Sequence, residues 1–448
     1  MNELFSIVER LAFRLPGEFL SRHAVQLRRM FSAFRGNARV LVLTNICWML
    51  PVTFSTVYLP IFMAEQGLSK TQIGTLGSVS FIFQVAGALF GGRVAERLGW
   101  KRTLMTFDGV LWPAVFLCFI SAHGYLPFLF AAVLMGGMSI VMPAWMSIFI
   151  AGVPKAQRPF IFIFNQIPPL VAGMIAPVYG FLISEWGGGV SEVARWVYSA
   201  GCVLVLAGWW MRVRWLADPS QTEREKPGRS GAGLAGILQR HRQSAIGIFR
   251  RRGMLVFLVV QVLTWASLSI CNTYMNLYLV DPAGKHLDKS MLSILPVFNG
   301  GITILTTLLI VPFITTAGLF GFILLGCGLM SVYVILVLAA APGSLAVVVV
   351  GSMAWACGWS LYWPSLMAHW SNMMSDRERP HMTALSSAVV MMSISPVPTI
   401  AGAFFDLNPR NPLLMLLVIL GAAIVLVAWT AVSGPGPGDS LTGRRRFG

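Results

Sequence analysis

The chain has 448 residues, of which 56% are hydrophobic and only 11% charged, with a formal net charge of +16. An ordinary soluble domain carries about 25% charged residues, so this composition excludes a water-soluble enzyme. The apolar residues gather into blocks able to cross a ~30 Å hydrocarbon core as helices, and they are apolar on all faces, which excludes a transmembrane β-barrel as well.

In segment 1–39, Leu4, Phe5, Val8, Leu11, Ala12 and Leu15 follow helical spacing among Glu3, Glu9, Arg10 and Arg14, until Pro16 and Gly17 break the run. This pattern predicts an amphipathic helix on the cytoplasmic membrane surface, and the interleaved charges argue against a cleavable signal peptide. Hydropathy then places six spans at 40–64, 71–91, 103–122, 126–150, 159–184 and 197–211, a first bundle over 40–211. Segment 212–252 is rich in Arg and Gly, carries Pro219 and Pro227, and reads as a cytoplasmic linker. A second bundle over 253–433 has spans at 253–280, 290–314, 317–340, 345–370, 382–405 and 412–433, followed by a tail over 434–448. The fold class is an all-α membrane protein with twelve transmembrane helices in two six-helix bundles.

The charges give the orientation. Of the 33 Lys and Arg, all placed outside these spans, 28 share the side of the termini and the linker, and five, Lys70, Arg195, Lys285, Lys289 and Arg410, face the other way. Positive charge accumulates inside, so both termini are expected in the cytoplasm and the protein in a plasma (inner) membrane. The net charge then reports topology and contact with anionic membrane lipids, and no nucleic-acid partner is expected. The six cysteines lie in six different spans with no CxxC pair, so neither a disulfide framework nor a metal site is expected. No Walker loop is present, which excludes ATP hydrolysis on this chain, and no cofactor is implied.

The two halves are related. Leu68-Ser69-Lys70-Thr71 at the entry to the second span matches Leu287-Asp288-Lys289-Ser290 at the entry to the eighth, at an offset of 219. Pro143, Arg158, Pro159 and Pro177 map to Pro364, Arg379, Pro380 and Pro398 at 221. A register this constant argues for parallel repeats about an axis along the membrane normal, with a substrate site at their interface near mid-membrane.

Between the second and third spans the chain reads Gly91-Gly92-Arg93-Val94-Ala95-Glu96-Arg97-Leu98-Gly99-Trp100-Lys101-Arg102. This resembles the GxxxD(R/K)xGx(R/K)(R/K) loop of the major facilitator superfamily, with Gly92, Glu96, Arg97, Gly99, Lys101 and Arg102 in its positions and Glu96 where the family usually has Asp. Gly99 supplies a tight turn, Gly92 a close helix approach, and the carboxylate a partner for a basic group or a helix N-terminus in one conformer only. The resemblance implies a conformational latch on the cytoplasmic side, which Arg158 and Arg379, at the starts of the fifth and eleventh spans, would join. Ala176-Pro177-Val178-Tyr179-Gly180 resembles in part the Gly/Pro motif of family antiporters, without its first and second glycines.

The family arrangement implies that the first, fourth, seventh and tenth spans line the cavity, and these spans carry uncharged amides beside indoles. The candidate substrate-binding residues are Asn45, Trp48, Trp145, Gln261, Trp265, Asn272, Asn276, Trp359 and Tyr362, suited to a neutral or amphipathic small molecule. Competing roles are the interfacial aromatic belt and helix-helix glue. Asp108 is the one carboxylate clearly inside a span and is the candidate proton-coupling group. Its alternative role, favoured by its position near the cytoplasmic edge, is pairing with Arg or Lys of the loop latch. The sequence therefore reads as a monomeric secondary transporter, not an enzyme, working by alternating access, with proton-coupled efflux of a neutral or lipophilic compound in first place. An uncoupled facilitator and a transport-inactive sensor or scaffold of the same fold are the alternatives.

Overall fold

A computed structural model describes residues 34–153, 164–186, 189–218, 252–309, 319–373 and 379–433. Twelve helices among the described residues are long and apolar enough to cross a membrane, and no strand occurs among them. In the first bundle they are α1 (Gly36–Glu65), α2 (Lys70–Leu98), α3 (Trp100–Ile120), α4 (Tyr125–Ile150), α5 (Ile167–Glu185) and α6 (Gly189–Trp215). The second holds α7 (Gly253–Val280), α8 (Lys289–Thr307), α9 (Leu319–Ala339), α10 (Leu345–Asn372), α11 in two pieces (Arg379–Ile394 and Val397–Leu407) and α12 (Asn411–Ser433). The surface helix expected within 1–39, most of the linker and the tail 434–448 lie outside the described residues.

The repeat register has a local cause. Ser69 caps α2 and exchanges hydrogen bonds with Gln72 in a capping box. At the equivalent place in the second half, Asp288 caps α8 and accepts from Ser290 N at 2.8 Å and Oγ at 2.7 Å, bonds that hold its carboxyl below the ordinary carboxylate range. The first amides of a helix have no intrahelical acceptor, so each half keeps a capping side chain at the same position.

Among the described residues, three helices are broken at depth. α4 passes through a 3₁₀ turn at Met138–Val141 ahead of Pro143, and α11 is interrupted before Val397–Leu407 with Pro398 in the first turn of its second piece. α7 contains a π-helical turn, Cys271–Met275. A proline without an N–H and a widened turn both loosen the ladder, and such breaks survive in lipid only where protein or a cavity covers them.

Contact between the bundles concentrates on the side away from the linker, called here the far side. Asp406 of α11 caps α2 from across the interface, accepting from Lys70 N at 3.3 Å, Thr71 N at 3.0 Å and Thr71 Oγ1 at 2.6 Å. Ser78 and Thr399 share a 2.7 Å bond, and Asn276 Nδ2 donates to Thr56 O and Val57 O at 3.2 Å each. Lys289 Nζ lies 2.8 Å from Glu65 Oε1, while Tyr58 OH donates to Lys289 O at 3.0 Å. These inter-bundle hydrogen bonds all belong to the far half. The helices can approach there because glycines face backbone: Gly402 of α11 lies against Lys70 O and Thr71, and Gly180 of α5 against Ser290 O and Ser293.

Gly402→Leu puts a branched side chain where the Lys70 and Thr71 backbone stands. It is expected to hold the far-side ends of α2 and α11 apart, read as a lengthened distance between spin labels placed on them. Gly421→Leu, at a position with nothing within 4 Å, should leave that distance unchanged.

Candidate functional site

Between the bundles lies a cavity of about 750 Å³. It reaches from the level of Asn276 and Leu292 below the far-side contacts to Phe164, Gln166 and Thr307 nearer the linker side. Four elements supply most of its polar wall: Thr53 and Thr56 from α1, Gln166 before α5, Asn272 and Asn276 from α7, and Asn299, Thr303 and Thr307 from α8. Trp355 and Trp359 of α10 and Tyr333 of α9 form the aromatic side. No Asp, Glu, Lys, Arg or His is among the described lining residues. Three lining residues, Cys271, Asn272 and Met275, belong to the π turn of α7, so the widened turn turns an amide toward the cavity.

Of the substrate-binding residues expected from sequence, Asn272, Asn276 and Trp359 line this cavity. The others sit elsewhere. Tyr362 is fully buried and hydrogen bonded to Thr264, Trp265 meets Trp363 edge-on at 5.8 Å, and Gln261 is buried at 7% exposure. Trp145 stacks on Phe149 at 4.6 Å in the linker-side cluster of the first bundle. Asn45 and Trp48 attend a buried arginine. Sequence reasoning passed over α8, although Leu292, Leu295, Asn299, Thr303 and Thr307 recur at three and four residues along one face of that span. That polar stripe in an apolar helix was the available signal.

The buried arginine is Arg212, placed by the sequence in the linker. α6 runs on to Trp215, so Arg212 stands inside the bundle at 2% exposure. Its NH1 donates to Asp108 Oδ2 at 2.7 Å, its Nε to Thr44 Oγ1 at 2.9 Å, and its NH2 reaches Asn45 Oδ1 at 3.5 Å. The guanidinium carbon sits 3.7 Å from the centroid of a Trp48 ring. Thr44 can accept because its own hydroxyl donates to Val40 O. Asp108 thus pairs with α6 and not with the loop latch, eight residues into α3 and ~12 Å from its start by helix rise. Neither member of the pair lines the cavity.

In the loop between α2 and α3, Gly99 makes the turn at φ +87°. Glu96, Arg97 and Arg102 are exposed, and no ion pair or hydrogen bond joins their side chains to other described residues. Lys101 Nζ donates to Val213 O at 3.2 Å and Leu216 O at 2.6 Å, covering the carbonyl end of α6. The close helix approach is at Gly91, where a Cβ would lie 2.8 Å from Ile140 O, and not at Gly92, which has nothing within 4 Å. A helix turns successive residues by about 100°, so adjacent glycines face different neighbours. Arg158 lies outside the described residues, and of Arg379 only its backbone position, the first residue of α11, is described.

Arg212→Gln removes one partner and leaves the Asp108 charge buried, a change of roughly 3–5 kcal/mol in known buried pairs. The double variant Asp108→Asn/Arg212→Gln should unfold at a higher temperature than Arg212→Gln alone. Additive losses in thermal unfolding would mean that the two side chains are not coupled.

The family model described as Major Facilitator Superfamily matches residues 41–398 of this chain. Quinolone resistance protein NorA of Staphylococcus aureus (strain MRSA252) is 24% identical over 379 residues, covering 82% of this chain and 90% of that protein. Among solved structures, nucleoside transporter NupG superposes with a TM-score of 0.68 at 14% identity, over 90% of this chain and 100% of that one. A POT family transporter in complex with 5-aminolevulinic acid gives a TM-score of 0.66 at 13% identity, over 88% of this chain and 95% of that one. At these identities the likeness speaks to the fold. A match running from α1 into α11, on twelve membrane-spanning helices in two bundles, makes this chain an integral membrane protein of the Major Facilitator Superfamily.

Proposed function

We propose that this protein exports a neutral or lipophilic small molecule by alternating access, with the linker and both termini in the cytoplasm. The observation that carries the reading is a cavity between the bundles whose described lining residues are all uncharged, shut off by the far-side contacts. Amides, hydroxyls and indoles hold an uncharged ligand by stacking and a few hydrogen bonds, whereas an ion would find no counter-charge among the described lining residues. Similarity to NorA, a quinolone resistance protein, supports export, since a transporter confers resistance by moving the compound outward. The 28-to-5 division of basic residues supports the orientation, and with it the conformation is inward-facing. The described lining residues come from both bundles of one chain, which fits a monomer. Inside-out vesicles carrying the protein should accumulate a neutral fluorophore such as Nile red faster than empty vesicles, and equal rates would count against export.

The loop latch belongs to the opposite conformer. Glu96 is exposed and its side chain has no partner among the described residues, as expected of a group whose partners assemble only when the cytoplasmic halves close. Glu96→Gln should shift the population toward the inward-facing state by about 1–3 kcal/mol while leaving the fold intact. Unchanged spectroscopic distances across the cytoplasmic face would reduce the loop to a topology anchor.

Coupling to protons is assigned to Asp108 as the one acid deep in a described span, acting on the bundle through Arg212 and α1 and not by contact with the substrate. Asp108→Asn should lose concentrative transport driven by a pH gradient in proteoliposomes while keeping exchange. An uncoupled facilitator, which the uncharged described lining also suits, would show no gradient-driven accumulation in either form and keep its downhill flux in both.

A further inference from the structure

We infer that Asp406 is a detachable helix cap that holds the far side shut, completing from the other bundle the cap that α2 lacks in its own chain. This rests on the alternating-access reading. The two halves begin their second helices alike up to one side chain. Ser69 and Asp288 are the capping residues of α2 and α8, both extended, at φ −65°, ψ 159° and φ −62°, ψ 137°. Two residues further on stand Thr71 and Ser290, each offering a backbone N–H and a hydroxyl. In α8 one oxygen of Asp288 accepts both donors of Ser290, at 2.8 and 2.7 Å. In α2 the shorter Ser69 accepts from Gln72 N instead. Both donors of Thr71 go to one oxygen of Asp406, at 3.0 and 2.6 Å, and its other oxygen accepts from Lys70 N at 3.3 Å.

The first amides of a helix have no acceptor within it and form the positive end of its dipole, so a carboxylate is their favoured partner. α8 carries that carboxylate itself and keeps it in any arrangement of the bundles. α2 takes it from α11 and gives it up when the two helices part. All three hydrogen bonds of the Asp406 side chain among the described residues run to α2, and none serves its own helix. Asp406 lies at the exposed rim, where water replaces the carboxylate, so these bonds weight the closed state by about one cap and do not lock it. The repeat counterpart of Asp406, at the same 221 register as Pro177 and Pro398, is Glu185 at the end of α5. It is exposed, and no hydrogen bond or ion pair joins its side chain to other described residues, as expected where Asp288 already holds the donors.

The test transplants the cap. Ser69→Asp gives α2 its own carboxylate for Thr71 and leaves α11 unaltered, while Asp406→Asn removes the carboxylate from the other side. Spin labels on the far-side ends of α2 and α11 of the purified full-length chain read the ratio of separated to closed populations. Either variant should raise that ratio about fivefold or more. Ser69→Ala, which offers no carboxylate, should leave it at the wild-type value. Adding Asp406→Asn to Ser69→Asp should change it little further, because both act on the same donors. A return toward the closed population in the double variant would mean charge repulsion and overturn the exchange of caps. Unchanged distances in either single variant, or the same shift in Ser69→Ala, would overturn the inference. A second label pair on the linker-side ends of α4 and α10 tests the reading beneath it. Those ends should draw together as the far side parts; far-side parting alone would leave the cap standing and overturn alternating access.

Discussion

Hydrocarbon offers no hydrogen bonds, so each polar group placed inside this molecule has to find its partner within the chain, and that constraint organises the structure. Arg212 meets it in full. Its guanidinium is shared among a carboxylate, a hydroxyl, an amide and an indole face, drawn from α1 and α3. A charge at 2% exposure would be intolerable alone, but in this setting it ties three helices of the first bundle together. Lys285 answers the same demand in the second bundle, with its Nζ covering Leu338 O and Ala340 O at the carbonyl end of α9.

The polar contacts divide into two kinds. Those of Arg212 and Lys285 stay within one bundle and survive any rigid-body rocking of the halves. Those of Asp406 with Lys70 and Thr71, of Lys289 with Glu65 and of Asn276 with α1 cross between bundles and would have to break in the proposed alternation, when the far side opens. They are made at helix ends and near the surface, where water can take over the released groups, which keeps the exchange between conformers affordable. Glycines at 180 and 402 let backbones meet in the closed arrangement without interlocking side chains.

The cavity reflects the same economy. Its walls are built where the helices are irregular, at the π turn of α7, and where α8 carries its polar stripe. Uncharged groups there need few partners, so the site can empty without stranding a charge.

Much of this was legible in the sequence. Hydropathy located twelve spans, since burial in lipid is an average over some twenty residues. The capping residues Ser69 and Asp288 and the glycine turn at Gly99 act within a few residues, so local pattern sufficed for the repeat register and the loop. What the sequence could not decide depends on pairs distant along the chain. Arg212 looks like a linker residue until α6 is seen to continue to Trp215 and Asp108 to stand beside it. Gly91 and Gly92 are indistinguishable until Ile140 is placed against one of them. Asn45, Trp48 and Gln261 read like ligand contacts as well as Asn272 does, because composition gives the chemistry of a side chain but not the direction it faces. Periodicity along one helix marks its polar stripe, as on α8, but whether that stripe meets a partner helix, lipid or an open cavity is a property of the packed bundles, and only the tertiary structure settled it.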